Sequence, residues 1–304
     1  MSLQNLLDPA ILFFIFGVFA GAIRSNLEIP ESIAKFLSLY LLMALGLKGG
    51  FALAQSGLTL DIALALFSAI VMAILVPLLA YVTLRRFIDG FNAAAMAASY
   101  GSVSAVTFLT TMQYLEQEGM AFGGHMAVAM VLMESPAILI AIIFANRLRQ
   151  QGGLNAQTNQ SMPALKQTSM ASILHESFTN GAHLLLLGAM LVGLVSGEKG
   201  MTVMQPFSGD LFKGMLSFFL LDMGLIVARS FRDALHASPV LLGYAVMAPF
   251  VHAGLALGLA QLLRLALADT VLLMVLSASA SYIVVPAVVR YAISEAKPVY
   301  YLGL

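Results

Sequence analysis

Apolar and polar positions fall in long blocks along this chain. Nine blocks, at about residues 8–23, 32–47, 59–84, 91–113, 125–147, 176–196, 211–228, 239–264 and 270–289, are apolar nearly all round, with polar stretches between them. A helix rises 1.5 Å per residue and the hydrocarbon of a bilayer is about 30 Å thick, so blocks of this length predict nine membrane-spanning helices. The first block follows "MSLQNLLD", which has no basic residues and carries Asp8, so it reads as a span and not as a cleaved signal. The one long polar stretch, "RLRQQGGLNAQTNQSMPALKQTS" at 147–169, is too rich in Gln, Asn, Ser and Gly to pack a core. It divides the chain into residues 1–147, a flexible linker at 148–175, and residues 176–304.

Composition agrees with the blocks. Of 304 residues, 60% are hydrophobic and 10% charged, and the mean hydropathy is +0.93, which excludes an ordinary soluble domain. There is no cysteine, hence no disulfide, thiolate metal site or cysteine nucleophile. Fifteen basic residues balance fifteen acidic ones, but their placement is uneven. The connections after the odd-numbered blocks hold eleven Lys and Arg: Arg24, Lys35, Arg85, Arg86, Arg147, Arg149, Lys166, Arg229, Arg232, Arg290 and Lys297. The remaining four are Lys48, Lys199, Lys213 and Arg264. This asymmetry predicts the linker in the cytoplasm and the N-terminus outside.

Landmarks repeat between the two halves. Gly17, Gly21 and Pro30 meet Gly193, Gly197 and Pro206 at an offset of 176, and Lys35, Gly46, Leu47, Arg86 and Ser99 meet Lys213, Gly224, Leu225, Arg264 and Ser277 at 178. Five helices per half is an odd number, so the second half enters the membrane from the opposite side. The expectation is two inverted five-helix repeats, as in secondary transporters. The mate of the fifth block would lie near 303–325, so the natural protein is expected to continue for about one more helix of roughly 20 residues.

Three stretches can carry chemistry. Block four contains "AAAMAASYGSVSAVT" (93–107) and block nine "SASASYIVVP" (277–286), both of which replace bulky side chains by Ala, Gly and Ser. Close helix packing is the plain explanation. The sharper one is that both helices break near mid-membrane, leaving backbone groups and hydroxyls for a ligand. Helix N-termini there would suit an anion, and carbonyl ends with serine oxygens a sodium ion. The third stretch is "MVLMESPAILIAII" (130–143), where Glu134, Ser135 and Pro136 interrupt an oily run. An intramembrane carboxylate must face the interior, be protonated, or bind something. Asp222 is a weaker candidate because its counterpart is Ala44. His125, His183 and His252 lack metal-like spacing, and Lys48 with Gly49 and Gly50 reads as a snorkelling anchor that ends the second helix. A serine hydrolase is weakly signalled, since "YGSVSA" lacks the nucleophile-elbow spacing.

The stretches "LEIPESIAKFLSLYLLMALGLKGG" (27–50), "YGSVSAVTF" (100–108), "MESPAILIAIIFAN" (133–146) and "SASASYIVVPAVVRYAISEAKP" (277–298) resemble the sodium-dependent bicarbonate transporter superfamily. The resemblance implies an all-α bundle of ten spans in two inverted repeats, of which this chain has nine, with helices 4 and 9 broken around the substrate. It also implies a bacterial inner-membrane symporter that imports bicarbonate with sodium, an elevator-like movement of a core domain against a gate domain, a homotrimer, and a PII-like cytoplasmic regulator. No organic cofactor is implied. Carried over by position, Ser102, Ser104, Ser279 and Ser281 would hold the anion. Glu134, Ser99 and Ser277 would bind sodium or cap half-helices, with Glu134 standing where the family has Asp. The chain departs from cyanobacterial members at Tyr282, where they carry Asp, and at "VVPA" in place of Ser-Gly-Pro-Pro. Another small carboxylate as substrate, or a non-transporting membrane sensor or scaffold, are the alternatives.

Overall fold

A computed structural model describes residues 8–57, 59–154, 181–234, 238–281, 285, 289, 292–297 and 300. The described residues form helices and connections, with no strand among them. The helices are α1 (Pro9–Ala22), α2 (Glu31–Ser56), α3 (Leu60–Leu84), α4 (Gly90–Gly101), α5 (Ala105–Gln117), α6 (His125–Leu154), α7 (Gly181–Gln205), α8 (Leu211–Ala234), α9 (Pro239–Leu262) and α10 (Leu267–Ala278), with a π-turn at Pro206–Asp210 between α7 and α8. Among the described residues six helical stretches are long and apolar enough to cross a membrane: Glu31–Gln55, Leu60–Leu84, Gly90–Gln117, His125–Gln151, Leu184–Arg229 and Pro239–Leu262. Pro9–Ala22 and Leu267–Ala278 are shorter apolar helices. Leu184–Arg229 takes in most of one expected block, 176–196, and all of the next, 211–228. Its 46 residues would reach about 69 Å as one straight helix, but the backbone leaves helical geometry at Gly197 (φ 55°, ψ −143°) and again at the π-turn.

Two helix ends differ from the sequence expectation. Lys48, Gly49 and Gly50 do not end the second helix, which continues to Ser56. The glycines serve packing, because a β-carbon on Gly50 would run into the Met190 carbonyl oxygen and one on Gly49 would lie 3.1 Å from that of Gly124. Lys48 holds its ammonium 4.3 Å from the centre of the Phe212 ring. The fifth expected helix likewise does not stop at residue 147. It runs through Leu154 because Arg, Leu and Gln are good helix formers, so the linker's first residues belong to α6. The rest of the linker lies outside the described residues.

The chain folds as two compact units, each drawing on both halves of the sequence. The first comprises α1, α2, α7 and α8 with Gly123–Ala127. Its helix pairs touch backbone to backbone at glycine, as small residues permit in a membrane. A β-carbon on Gly17 would collide with the Leu221 carbonyl oxygen and lie 3.2 Å from Gly224 Cα, while one on Gly193 would meet the Leu47 oxygen at 2.6 Å and Gly50 Cα at 3.1 Å. Reciprocally, a β-carbon on Gly224 would collide with the Phe14 oxygen and lie 2.8 Å from Val18 N, and one on Gly50 would collide with the Met190 oxygen and lie 2.8 Å from Leu194 N. These contacts correspond at an offset of 176 between α1 and α7 and of 174 between α2 and α8. The second offset differs from the expected 178 by one helical turn, so Gly224 matches Gly50 and not Gly46.

The second unit comprises α3, α4, α5, α9, α10, the body of α6 and the chain beyond Ser281. α4 is its centre. Every residue from Ala93 to Gly101 is buried, and the run of five alanines and Met96 lets Ala80, Tyr81 and Leu84 of α3, Ile138, Ala141, Ile142 and Ala145 of α6, and Val285 and Val289 close around it.

Candidate functional site: two helix breaks lined by serine

α4 begins at a strong cap, with Asp89 Oδ1 accepting from the Phe91 and Asn92 N–H groups at 3.1 Å each. It ends at Gly101, where the backbone turns extended: Ser102 has φ −87° and ψ 170°. Gly101 is wedged, since a β-carbon there would lie 2.6 Å from Pro77 Cβ and 2.9 Å from Ala137 Cβ. Pro77 sits inside α3, and Ala137 follows Pro136 inside α6. Glu134 lies one turn before Ala137 on the same face of α6 and is 8% exposed. The side chain of Ser135 lies outside the described residues. α5 restarts at Ala105 with Ser104 as N-cap, its Oγ accepting from Thr107 N–H at 3.4 Å.

The end of α10 repeats this geometry. The helix stops at Ala278, and Ser279 takes φ −82° and ψ 168°. The broken fourth helix expected from "YGSVSA" is therefore present between α4 and α5, and the ninth block leaves helical geometry at Ser279. Tyr282 and most of "IVVP" lie outside the described residues.

The two breaks are bonded to each other. Ser281 N–H donates to the Ser99 carbonyl at 2.9 Å, and Ser104 N–H donates to Ser279 Oγ at 3.0 Å. Ser279 Oγ in turn donates to the Leu276 carbonyl at 2.9 Å. Its hydroxyl, expected on the anion, thus holds the two breaks together. Ser99 Oγ points back at the Ala95 carbonyl, at 3.5 Å.

Two serine hydroxyls of the breaks are left over. Ser102 Oγ and Ser277 Oγ are buried, at 1% and 2% residue exposure, and have no hydrogen-bond partner among the described residues. An unsatisfied buried hydroxyl costs about 1–3 kcal/mol, so such groups mark unexplained chemistry. Both sit at helix C-termini, where unpaired carbonyls carry about half a negative charge per helix. Glu134 adds a carboxyl group on α6, one turn before the Ala137 that packs against Gly101. The first turn of α5 presents the opposite polarity, its leading N–H groups having no intrahelical acceptor. Among the described residues no cluster of three or more His, Asp or Glu exists. Any cation here would be held by carbonyls and hydroxyls with at most one or two carboxylates, an oxygen donor set that suits a hard ion better than zinc.

The profile of the Na+-dependent bicarbonate transporter superfamily matches residues 9–304. The chain belongs to that superfamily. A search of curated proteins finds no match. In this member of the superfamily, the membrane-length apolar helices and the family membership agree on a transport protein of the membrane.

The transporter's other sequence candidates lie elsewhere. Asp222 is buried in α8 of the first unit, and His125 is buried in the same unit at the start of α6. His252 is buried in α9, its Nδ1 without a partner among the described residues. The side chain of His183 lies outside the described residues. Sequence reasoning missed the wedge that seats Gly101. Its signal was available, because Pro77 and Pro136 each stand inside an apolar block, and a proline frees a carbonyl in the preceding turn.

Proposed function

We propose that this protein imports bicarbonate with sodium across the bacterial inner membrane, and that the paired breaks of the second unit hold both ions. Sodium sits among the C-terminal carbonyls of α4 and α10, the hydroxyls of Ser102 and Ser277, and the carboxylate of Glu134. Two negative helix poles and a carboxylate would repel a bare anion. Bicarbonate therefore binds beside the ion, toward the first turn of α5, with Ser104 and Ser281 at its edge. The ion supplies the missing positive charge, which makes anion binding depend on sodium. The observation that carries this reading is the pair of buried, unpartnered hydroxyls at two helix C-termini that are bonded to each other.

The reading includes two inverted repeats, nine spans in this chain and an elevator-like movement of the second unit. The matched glycine contacts at offsets of 176 and 174 support the repeats. Assembly as a homotrimer and control by a PII-like protein rest on the resemblance alone and are read by light scattering and co-purification. Liposomes carrying the protein, given labelled bicarbonate with and without an inward sodium gradient, test the function. Sodium-driven accumulation is expected, and uptake of another small carboxylate in its place would assign the alternative substrate. A chain that neither transports nor gains thermal stability with either ion would be a sensor or scaffold.

A further inference from the structure

At the far end of α4 from the serines, three pieces of the second unit are bonded together. Arg149, near the end of α6, donates from Nε to Glu295 Oε1 and from Nη2 to Glu295 Oε2, each at 2.7 Å. Its Nη2 also donates to the Ala292 carbonyl at 3.0 Å, and its Nη1 to Asn146 Oδ1 at 2.8 Å. Two residues after Glu295, Lys297 N–H donates to Asn92 Oδ1 at 2.7 Å. The Asn92 amide donates to the carboxylate of Asp89, the cap of α4.

The same three pieces meet again at the serines. α4 supplies Asn92 to the first meeting and the Ser99 carbonyl to the second, about 10 Å along the helix. α6 supplies Arg149 to the first and Ala137, against Gly101, to the second, about 18 Å apart. The chain beyond α10 supplies Glu295 and Lys297 to the first and Ser281, on Ser99, to the second. We infer that Arg149, Glu295 and Asn92 are positioning residues, which fix how α4, α6 and the segment 292–297 lie against one another and so set the spacing of the oxygens around Ser102 and Ser277.

The chemistry favours geometry over stability as the clamp's purpose. The Arg149 and Glu295 side chains are 35% and 30% exposed, and an ion pair in water adds little stability. A two-pronged guanidinium–carboxylate pair that also grips a main-chain carbonyl, however, allows one orientation only. Binding sites need their ligating groups held to within about 0.5 Å. A lysine at position 149 would keep the charge and lose the fork.

The clamp rests on the reading of the serines as the sodium site, and the test separates the two. Sodium half-saturation of bicarbonate uptake into liposomes, and sodium-free unfolding temperature in detergent, are measured for the wild type, Glu295→Gln, Arg149→Lys, Asn92→Ala and the swap Arg149→Glu/Glu295→Arg. Glu295→Gln is expected to raise the sodium half-saturation about three- to ten-fold with the maximal rate near that of the wild type. Arg149→Lys should fall between the two, and the swap should recover part of the loss. Should Glu295→Gln fail to fold, Arg149→Lys carries the same comparison. Variants that unfold earlier but keep the wild-type half-saturation would overturn the clamp alone. A wild type indifferent to sodium would overturn the reading of the site itself.

Discussion

Replacing Ser277 by alanine should move two measurements in opposite directions. The hydroxyl is buried at 2% exposure, with no hydrogen-bond partner among the described residues. In the ligand-free protein it costs about 1–3 kcal/mol of desolvation, and alanine is also the better helix former. Ser277→Ala should therefore raise the sodium-free unfolding temperature by a few degrees, at about 2–4 °C per kcal/mol for chains approaching this size. If Ser277 Oγ is a sodium ligand, the same change should weaken sodium by about tenfold, which is about 1.4 kcal/mol. The shift in unfolding temperature on adding sodium should shrink accordingly. Nanoscale fluorimetry in detergent, with and without sodium and with choline as the control cation, reads both quantities. Ser102→Ala should behave alike. A variant less stable without sodium, yet with the full wild-type response to sodium, would refute the reasoning, because the hydroxyl would then be structural.

Three further outcomes follow from the packing and electrostatics. Gly101→Ala should lower the unfolding temperature through about 1–3 kcal/mol of overpacking against Pro77 and Ala137, whereas Gly254→Ala, where nothing lies within 4 Å of the added carbon, should be neutral or stabilising. Gly17→Ala and Gly193→Ala occupy matched contacts and should destabilise to a similar degree in the same melt, and unequal losses would count against the matched packing. The bonds from Arg149 hold the Glu295 carboxyl below its usual value of 4.5. That contribution is present above pH 4.5 and is lost as pH falls through the lower folded value, so the wild type should lose a component of stability in acid that Glu295→Gln does not show.

The breaks were legible because several serines cluster with glycine or alanine at one depth of an oily helix, more hydroxyls than close packing needs. "YGSVSA" and "SASAS" each mark the residue where the helix stops, at Gly101 and Ala278. The division of labour among the serines was not legible, since it depends on which hydroxyl finds a partner across the unit. Ser279 is occupied by Ser104 N–H and the Leu276 carbonyl, while Ser277 is left over. Glycine was the ambiguous letter. Gly49 and Gly50 read as a helix stop and proved to be packing residues, while Gly197 does break its helix. In water a glycine pair argues for an end, but in a membrane close backbone approach competes with that meaning. The same ambiguity shifted the expected glycine match by one turn, because Gly46 and Gly50 are both candidates for Gly224 and only their contacts separate them. The clamp was invisible, for Arg149, Glu295 and Asn92 are far apart in the chain and none stands out by type.

Sodium-driven uptake of labelled bicarbonate into liposomes containing only this protein tests the central claim most directly. Accumulation that requires an inward sodium gradient, and whose sodium half-saturation rises in Ser102→Ala and Ser277→Ala, is the predicted result. Equal uptake with sodium and choline, or a sodium response untouched in both variants, would contradict it.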